Sequence, residues 1–181
     1  MAVSVPLVVE EMRRSDIDAV HEIERLSFST PWPSYAFEQE LATNRMARYL
    51  VVRRDGRLVA FAGLWLMADE AHITTFAVHP DWRRQGIAQR LMVALLELSL
   101  EIGAERMTLE VRVSNEPAQS LYRRFGFVTA GRRPRYYTDD GEDALIMTTP
   151  ELRGPSMQAL LILERARHER QPWQPTWGPQ P

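Results

Sequence analysis

Apolar residues recur along this chain with two different periods, and the switches between them predict strands alternating with helices. Leu7 to Met12 reads as a first strand. Ser15 followed by Asp18 resembles a helix N-cap, with Ile17, Val20, Ile23 and Leu26 behind it at helical spacing. Pro31 and Pro33 break that helix, and Ser34 caps a shorter one with Phe37 and Leu41 on one face. Tyr49 to Arg53 and Leu58 to Met67 read as two strands joined by Asp55-Gly56, a strong hairpin signal. Ala71 to Val78 continues the meander around Ile73, Phe76 and Val78 until His79-Pro80 stops it. After an Arg-rich loop, Ile87, Leu91, Leu95, Leu98 and Ile102 mark one face of a long helix that Gly103 ends. Met107 to Val113 is a strand, and Ser114-Asn115 caps a helix through about Phe125, with Pro117 tolerated in its first turn. Phe127 to Gly131 and Ala144 to Thr148 are the last strands, joined by a polar loop containing Asp139, Asp140 and Gly141. This order predicts a mixed α/β (α+β) sheet with an antiparallel meander and crossover helices.

The domain is expected to cover residues 1–150. Beyond it, Met157, Leu160, Leu161 and Glu164 suggest one amphipathic helix in a C-terminal extension, 151–181. Residues 172–181 hold four prolines and two tryptophans, Trp173 and Trp177, and read as a flexible tail.

Composition narrows the chemistry. With 181 residues, 22 basic and 24 acidic side chains and a net charge of −2, the chain reads as one globular domain with no basic surface for nucleic acid. Cysteine is absent, which excludes disulfides, thiolate metal sites and a cysteine nucleophile. All 22 basic residues are arginine, so Schiff-base chemistry and a lysine phosphate loop are excluded as well. The longest apolar run, Leu58 to Ala68, has 11 residues, short of the ~18 a spanning helix needs. A cytoplasmic protein without a membrane partner is the expectation, and its oligomeric state is left open.

Three features carry candidate chemistry. Arg83-Arg84-Gln85-Gly86-Ile87-Ala88 lies between a strand and a long helix, where free helix N–H groups, the helix dipole and a permissive glycine can cradle an anion. A solvated arginine pair ahead of a helix is the alternative. Glu110 is a carboxylate among the apolar strand residues Leu109, Val111 and Val113. If its face is buried, desolvation raises its pKa toward the range of a general base; otherwise it is a solvent-facing strand residue. Tyr122 sits beside the apolar stripe Ala118, Leu121 and Phe125, as a proton donor or as a core tyrosine. His21, His72, His79 and His168 lack metal-ligand spacing, and no metal is expected. His72 and Glu70 are the second-choice bases.

The stretch Val78-His79-Pro80-Asp81-Trp82-Arg83-Arg84-Gln85-Gly86-Ile87-Ala88 resembles the acyl-CoA signature R/Q-x-x-G-x-G/A of the GNAT N-acetyltransferases, with Ala88 in place of the second glycine. Phe28-Ser29-Thr30-Pro31-Trp32, Leu109 to Asn115, Leu121 to Phe127, Arg135-Tyr136-Tyr137, Glu142-Asp143-Ala144 and Met147 follow in the order of the RimI-type branch. The resemblance covers roughly residues 7 to 149 and does not extend to the tail. It implies a mostly antiparallel sheet of about seven strands with four flanking helices. It also implies acetyl transfer from acetyl-CoA to the N-terminal alanine of a small-subunit ribosomal protein.

By residue, the resemblance implies Phe76, Ala77 and Val78 along the pantetheine and thioester. Arg84, Gln85, Gly86, Ile87, Ala88 and Gln89 would surround the phosphates, and Asn115 would touch the cofactor. Glu110 would be the base and Tyr122 the acid, with Trp32, Tyr136 and Tyr137 beside the acceptor peptide. An α-amine, with a pKa of ~7.7–8.0 against ~10.4 for lysine, asks little of its base. Two other readings remain: an acetyltransferase for a small amine or a lysine side chain, and a non-catalytic acetyl-CoA-binding module. The pairing of Glu110 with Tyr122 argues against the module, since a pure binder needs neither.

Overall fold

A computed structural model describes residues 6–168. Trp173, Trp177 and the expected flexible tail lie outside the described residues. The elements run β1 (Leu7–Glu11), a 3-10 turn (Arg14–Asp16), α1 (Ile17–Ser27), α2 (Ser34–Thr43), β2 (Ala47–Arg54), β3 (Arg57–Met67) and β4 (Glu70–Val78). A 3-10 turn (Pro80–Trp82) leads to α3 (Ile87–Glu101), β5 (Arg106–Arg112), α4 (Glu116–Arg124), β6 (Val128–Arg133), β7 (Ala144–Thr148) and α5 (Pro155–His168). The strands form one sheet in the order β1-β2-β3-β4-β5-β7-β6. β4 and β5 pair in parallel, and the other neighbours among the described residues pair antiparallel.

Both faces of the sheet are covered, and alternate strand residues feed two cores. Leu50, Val52, Ala60, Ala62 and Leu64 join the α3 stripe Ile87, Leu91, Leu95 and Leu98 in the larger core. Tyr49, Val51, Phe61 and Ala77 face the other way, onto Ile17, Val20 and Ile23 of α1 and Phe37 of α2. This two-sided burial explains why Leu58 to Leu64 is a continuous apolar run. α5 inserts Met157 and Leu161 into the larger core. It also pairs Glu164 with Arg124 of α4 at 2.8 Å, and Arg165 with Glu97 of α3.

The helix starts differ in detail from the sequence expectation. Arg13, not Ser15, stands at the cap of the 3-10 turn, where Asp16 reaches back to accept its N–H at 2.9 Å, and Asp16 in turn occupies the cap position of α1. Pro33, extended at φ −68°, occupies the cap position of α2, and Ser34 is its first helical residue. Asn115 caps α4 as expected, its Oδ1 accepting the Ala118 N–H at 3.2 Å.

A bulge shapes the middle of the sheet. Gly63 pairs with Thr75 and Leu64 with Ile73, which leaves Thr74 as the extra residue of β4. At the same place the ring of Tyr49 crosses Gly63 so closely that a Cβ there would lie 2.3 Å from Tyr49 Cε1. The ring cannot swing away freely, because its hydroxyl donates to Glu40 at 3.0 Å and it packs on Phe37. Gly63→Ala is therefore expected to destabilise the fold by about 1–3 kcal/mol, the usual cost of overpacking. Urea denaturation reads this directly; an unchanged midpoint would contradict the packing.

Candidate active site

Parallel pairing between β4 and β5 ends at His72↔Thr108. β4 runs on to Val78 beside β3, while β5 runs on to Arg112 beside β7, so the strands part like a wedge. The opening holds a cavity of about 730 Å³. Its walls are β4 from His72 to Phe76, β5 from Leu109 to Arg112, and Ala118, Leu121 and Tyr122 of α4. Glu24, the segment from Ser27 to Thr30, Trp32, Trp65, Asn115, Tyr136 and Tyr137 complete it.

Glu110 sits at the centre of this wall. Leu109 and Val111 turn into the core on either side, which puts Glu110 on the opposite face of β5. Its side chain is only 8% exposed. Glu110 Oε2 lies 2.5 Å from His72 Nε2, and Oε1 lies 3.1 Å from Arg133 Nε. Burial pushes its pKa up, but the hydrogen bond from His72 and the fields of His72 and Arg133 outweigh burial. Glu110 therefore stands below the ordinary carboxylate value, the reverse of the expectation from desolvation alone. His72, named above as a second-choice base, is the hydrogen-bonded partner of the first.

Tyr122 is buried in α4, edge-on to Phe76 with ring centres 6.3 Å apart and tilted against Phe127 at 5.7 Å. Burial pushes its hydroxyl pKa well above the ordinary tyrosine value, so it keeps its proton at neutral pH.

The remaining predicted residues divide by place. Trp32, Tyr136 and Tyr137 all line the cavity. The two tyrosine rings meet edge to face at 5.1 Å, and the Arg112 guanidinium lies 3.9 Å from the Tyr137 ring centre. Arg112 also holds Asp139 at 2.8 Å and Asp140 and Glu142 at 3.0 Å, while the Ser29 hydroxyl donates to Asp139. One guanidinium thus ties the α1–α2 loop to the β6–β7 loop across the mouth. Phe76 and Asn115 line the cavity, but Ala77 and Val78 do not: their side chains fill the two cores.

Arg84, Gln85, Gly86, Ile87, Ala88 and Gln89 lie outside the cavity, where β4 leads into α3. Arg83 Nε donates to the Val78 carbonyl at 3.0 Å, and Arg54 donates to Gln85 Oε1 at 2.8 Å while stacking over Trp82. Arg84 and Gly86 both adopt positive φ, 63° and 77°. A Cβ at Gly86 would meet nothing within 4 Å, so the N-terminus of α3 opens onto free space. The first N–H groups of α3 have no acceptor within their own helix, and this open, cationic turn fits a pyrophosphate.

Sequence reasoning missed Arg133, Arg112 and Glu24. Arg133 and Arg112 carried no local signal, because their partners are remote in the chain. Glu24 did carry one: it falls seven residues after Ile17, on the apolar stripe of α1, and is 3% exposed.

Residues 17–127 match the acetyltransferase (GNAT) family. A Bacillus subtilis (strain 168) protein assigned by name to ribosomal protein bS18-alanine N-acetylation is 49% identical over 139 residues, 77% of this chain and 92% of its own. The ribosomal protein bS18-alanine N-acetyltransferase of Escherichia coli (strain K12) is 36% identical over 146 residues, 78% of this chain and 96% of its own. The crystal structure of the ribosomal-protein-S18-alanine N-acetyltransferase from Escherichia coli superposes with a TM-score of 0.74 at 32% identity, covering 82% of this chain and 97% of that one.

The Glu110 environment is testable by titration. In His72→Ala, burial is opposed by Arg133 with no help from the imidazole, so the Glu110 carboxyl pKa is expected to rise. Carbon-detected NMR of the side-chain carboxyl reads the shift; an unmoved or lower pKa would contradict the pairing.

Proposed function

Since the chain belongs to the acetyltransferase (GNAT) family, we propose that it transfers the acetyl group of acetyl-CoA to the N-terminal α-amine of a ribosomal protein, the acceptor class named for its Bacillus and Escherichia relatives. The observation that carries this reading is the wedge, where a buried ionised carboxylate and a buried protonated tyrosine face one cavity.

Acetyl-CoA supplies an activated thioester acetyl group. In this reading the α3 turn from Arg84 to Gln89 holds its phosphates, and the backbone of Phe76, Ala77 and Val78 runs beside its pantetheine. Glu110 takes the proton from the attacking amine, directly or through a water molecule. A carboxylate held below the ordinary range is a mild base. That suffices for an α-amine, which is already partly neutral near pH 7 because its own pKa is ~7.7–8.0. His72 and Arg133 keep Glu110 ionised and fixed in orientation, so no reorganisation is needed as the proton arrives. Tyr122 retains its proton until the departing sulfur needs one. Trp32, Tyr136 and Tyr137 flank the incoming peptide, and the Arg112 network holds the two loops around it.

Four outcomes follow. Acetylation should require a free N-terminus: peptides beginning with alanine are expected to be acetylated, and blocked peptides, polyamines and free lysine are not. Preferred turnover of a polyamine would replace the acceptor class. Glu110→Gln is expected to lower kcat by about a hundredfold, the scale of general-base loss, with acetyl-CoA affinity retained in calorimetry. Because Glu110 is already ionised well below neutrality, the acid limb of kcat/KM should titrate near the acceptor amine, at ~7.7–8.0, rather than in the carboxylate range. Gly86→Glu should weaken acetyl-CoA binding by crowding and charge repulsion, and unchanged calorimetry would remove the α3 turn from the site.

A further inference from the structure

A second carboxylate in the cavity has no part in the chemistry above. Glu24 projects from α1, lines the cavity, and is 3% exposed. Its Oε1 accepts the Trp32 backbone N–H at 3.1 Å, and its Oε2 accepts the Thr75 hydroxyl at 3.3 Å. Both donors are neutral, and no basic side chain among the described residues pairs with it. Glu110, in contrast, has Arg133 on one oxygen and His72 on the other. Burial raises the Glu24 carboxyl above the ordinary range, as expected of a buried charge without a counter-ion.

A lone buried carboxylate is costly to keep, and a cation delivered to it recovers much of that cost. The acceptor of the proposed reaction is such a cation. An α-amine with a pKa of ~7.7–8.0 arrives at neutral pH mostly as ammonium. Trp32 stands on the acceptor side, and Thr75 stands on β4 next to the bulge, so Glu24 lies where the two substrates would meet.

The geometry points to Glu24 as the carboxylate that binds the acceptor's α-ammonium group before its deprotonation, an inference that rests on the acceptor class proposed above. Glu24 thereby selects a charged amine at the chain terminus; one ammonium proton leaves to solvent before the attack, and Glu110 receives the second as the C–N bond forms. The division of labour follows from the neighbours: the carboxylate already matched by Arg133 is free to act as a base, and the unmatched one supplies the charge that docks the substrate.

Glu24→Gln isolates the charge. The amide oxygen can still accept the Trp32 N–H, and the amide N–H can donate to Thr75 Oγ1, so the wall keeps its shape. With a short peptide beginning with alanine, the variant is expected to raise the peptide KM at least about tenfold, the scale of a lost charged hydrogen bond, with the effect on KM rather than kcat. Calorimetry with wild type and variant, using that peptide and its N-acetylated form, provides a readout without turnover. The free-amine peptide should bind the variant about tenfold more weakly, and the neutral acetylated peptide should bind both proteins equally. Equal weakening of both peptides would make Glu24 a brace for the Trp32 loop and overturn the inference, as would wild-type binding of the free-amine peptide. A wild-type protein that binds neither peptide would overturn the acceptor class and the inference together. Wild-type acetylation with an unaffected variant would leave the acceptor class standing and remove only Glu24.

Discussion

The parting of β4 and β5 after three residue pairs is the constraint on which the site depends. Two neighbouring strands in a sheet normally satisfy each other's backbone and leave no room between them. Here β4 stays with β3 and β5 stays with β7, and each strand keeps its outer partner while losing the inner one. The bulge at Thr74 bends β4 at the point of separation, and α3 and α4 fill the flanks of the gap. The result is a cavity that opens beyond the last paired rung, His72 and Thr108, between residues 72–76 of β4 on one side and Glu110 with its β5 neighbours on the other. Backbone facing a cleft invites a ligand that can pair with it, as an extended chain pairs with a sheet edge.

Electrostatics then distinguishes residues of the same type within a small volume. Glu110 is ionised because His72 and Arg133 outweigh its burial, whereas burial raises the Glu24 pKa and the neutral donors that reach it do not cancel the rise. Arg112 works differently: exposed acids from the β6–β7 loop converge on it and draw in Ser29 from the opposite loop. Exposed ion pairs taken singly contribute little. Their value here is geometric, since one planar guanidinium fixes two loops and stacks on Tyr137.

Much of the architecture was legible because local chemistry and global fold agree. The Asp55-Gly56 hairpin, the α3 stripe from Ile87 to Leu98 and the Asn115 cap stand where their patterns put them. Glu110 stood out as a charge between core-facing neighbours, and the family resemblance supplied its role. Its pKa direction did not follow from burial, because His72 lies 38 residues away and Arg133 comes from β6, brought near by the strand order β5-β7-β6. The wedge itself has no local signature: β4 and β5 alternate like ordinary strands on both sides of the point where they separate. Glu24 shows the converse case, a polar residue passed over in the sequence although its spacing puts it on the apolar stripe of α1.

Amide hydrogen exchange on the wedge tests the central claim most directly, since it reads backbone rather than activity. With acetyl-CoA saturating, the account predicts new protection at residues 73–78 of β4, which lack β5 as a partner, and at Ile87, Ala88 and Gln89 in the first turn of α3. The outer strands β1 and β6 should stay unchanged. Saturated binding that leaves those amides unprotected, or protects a different surface, would contradict the wedge as the site of acetyl transfer.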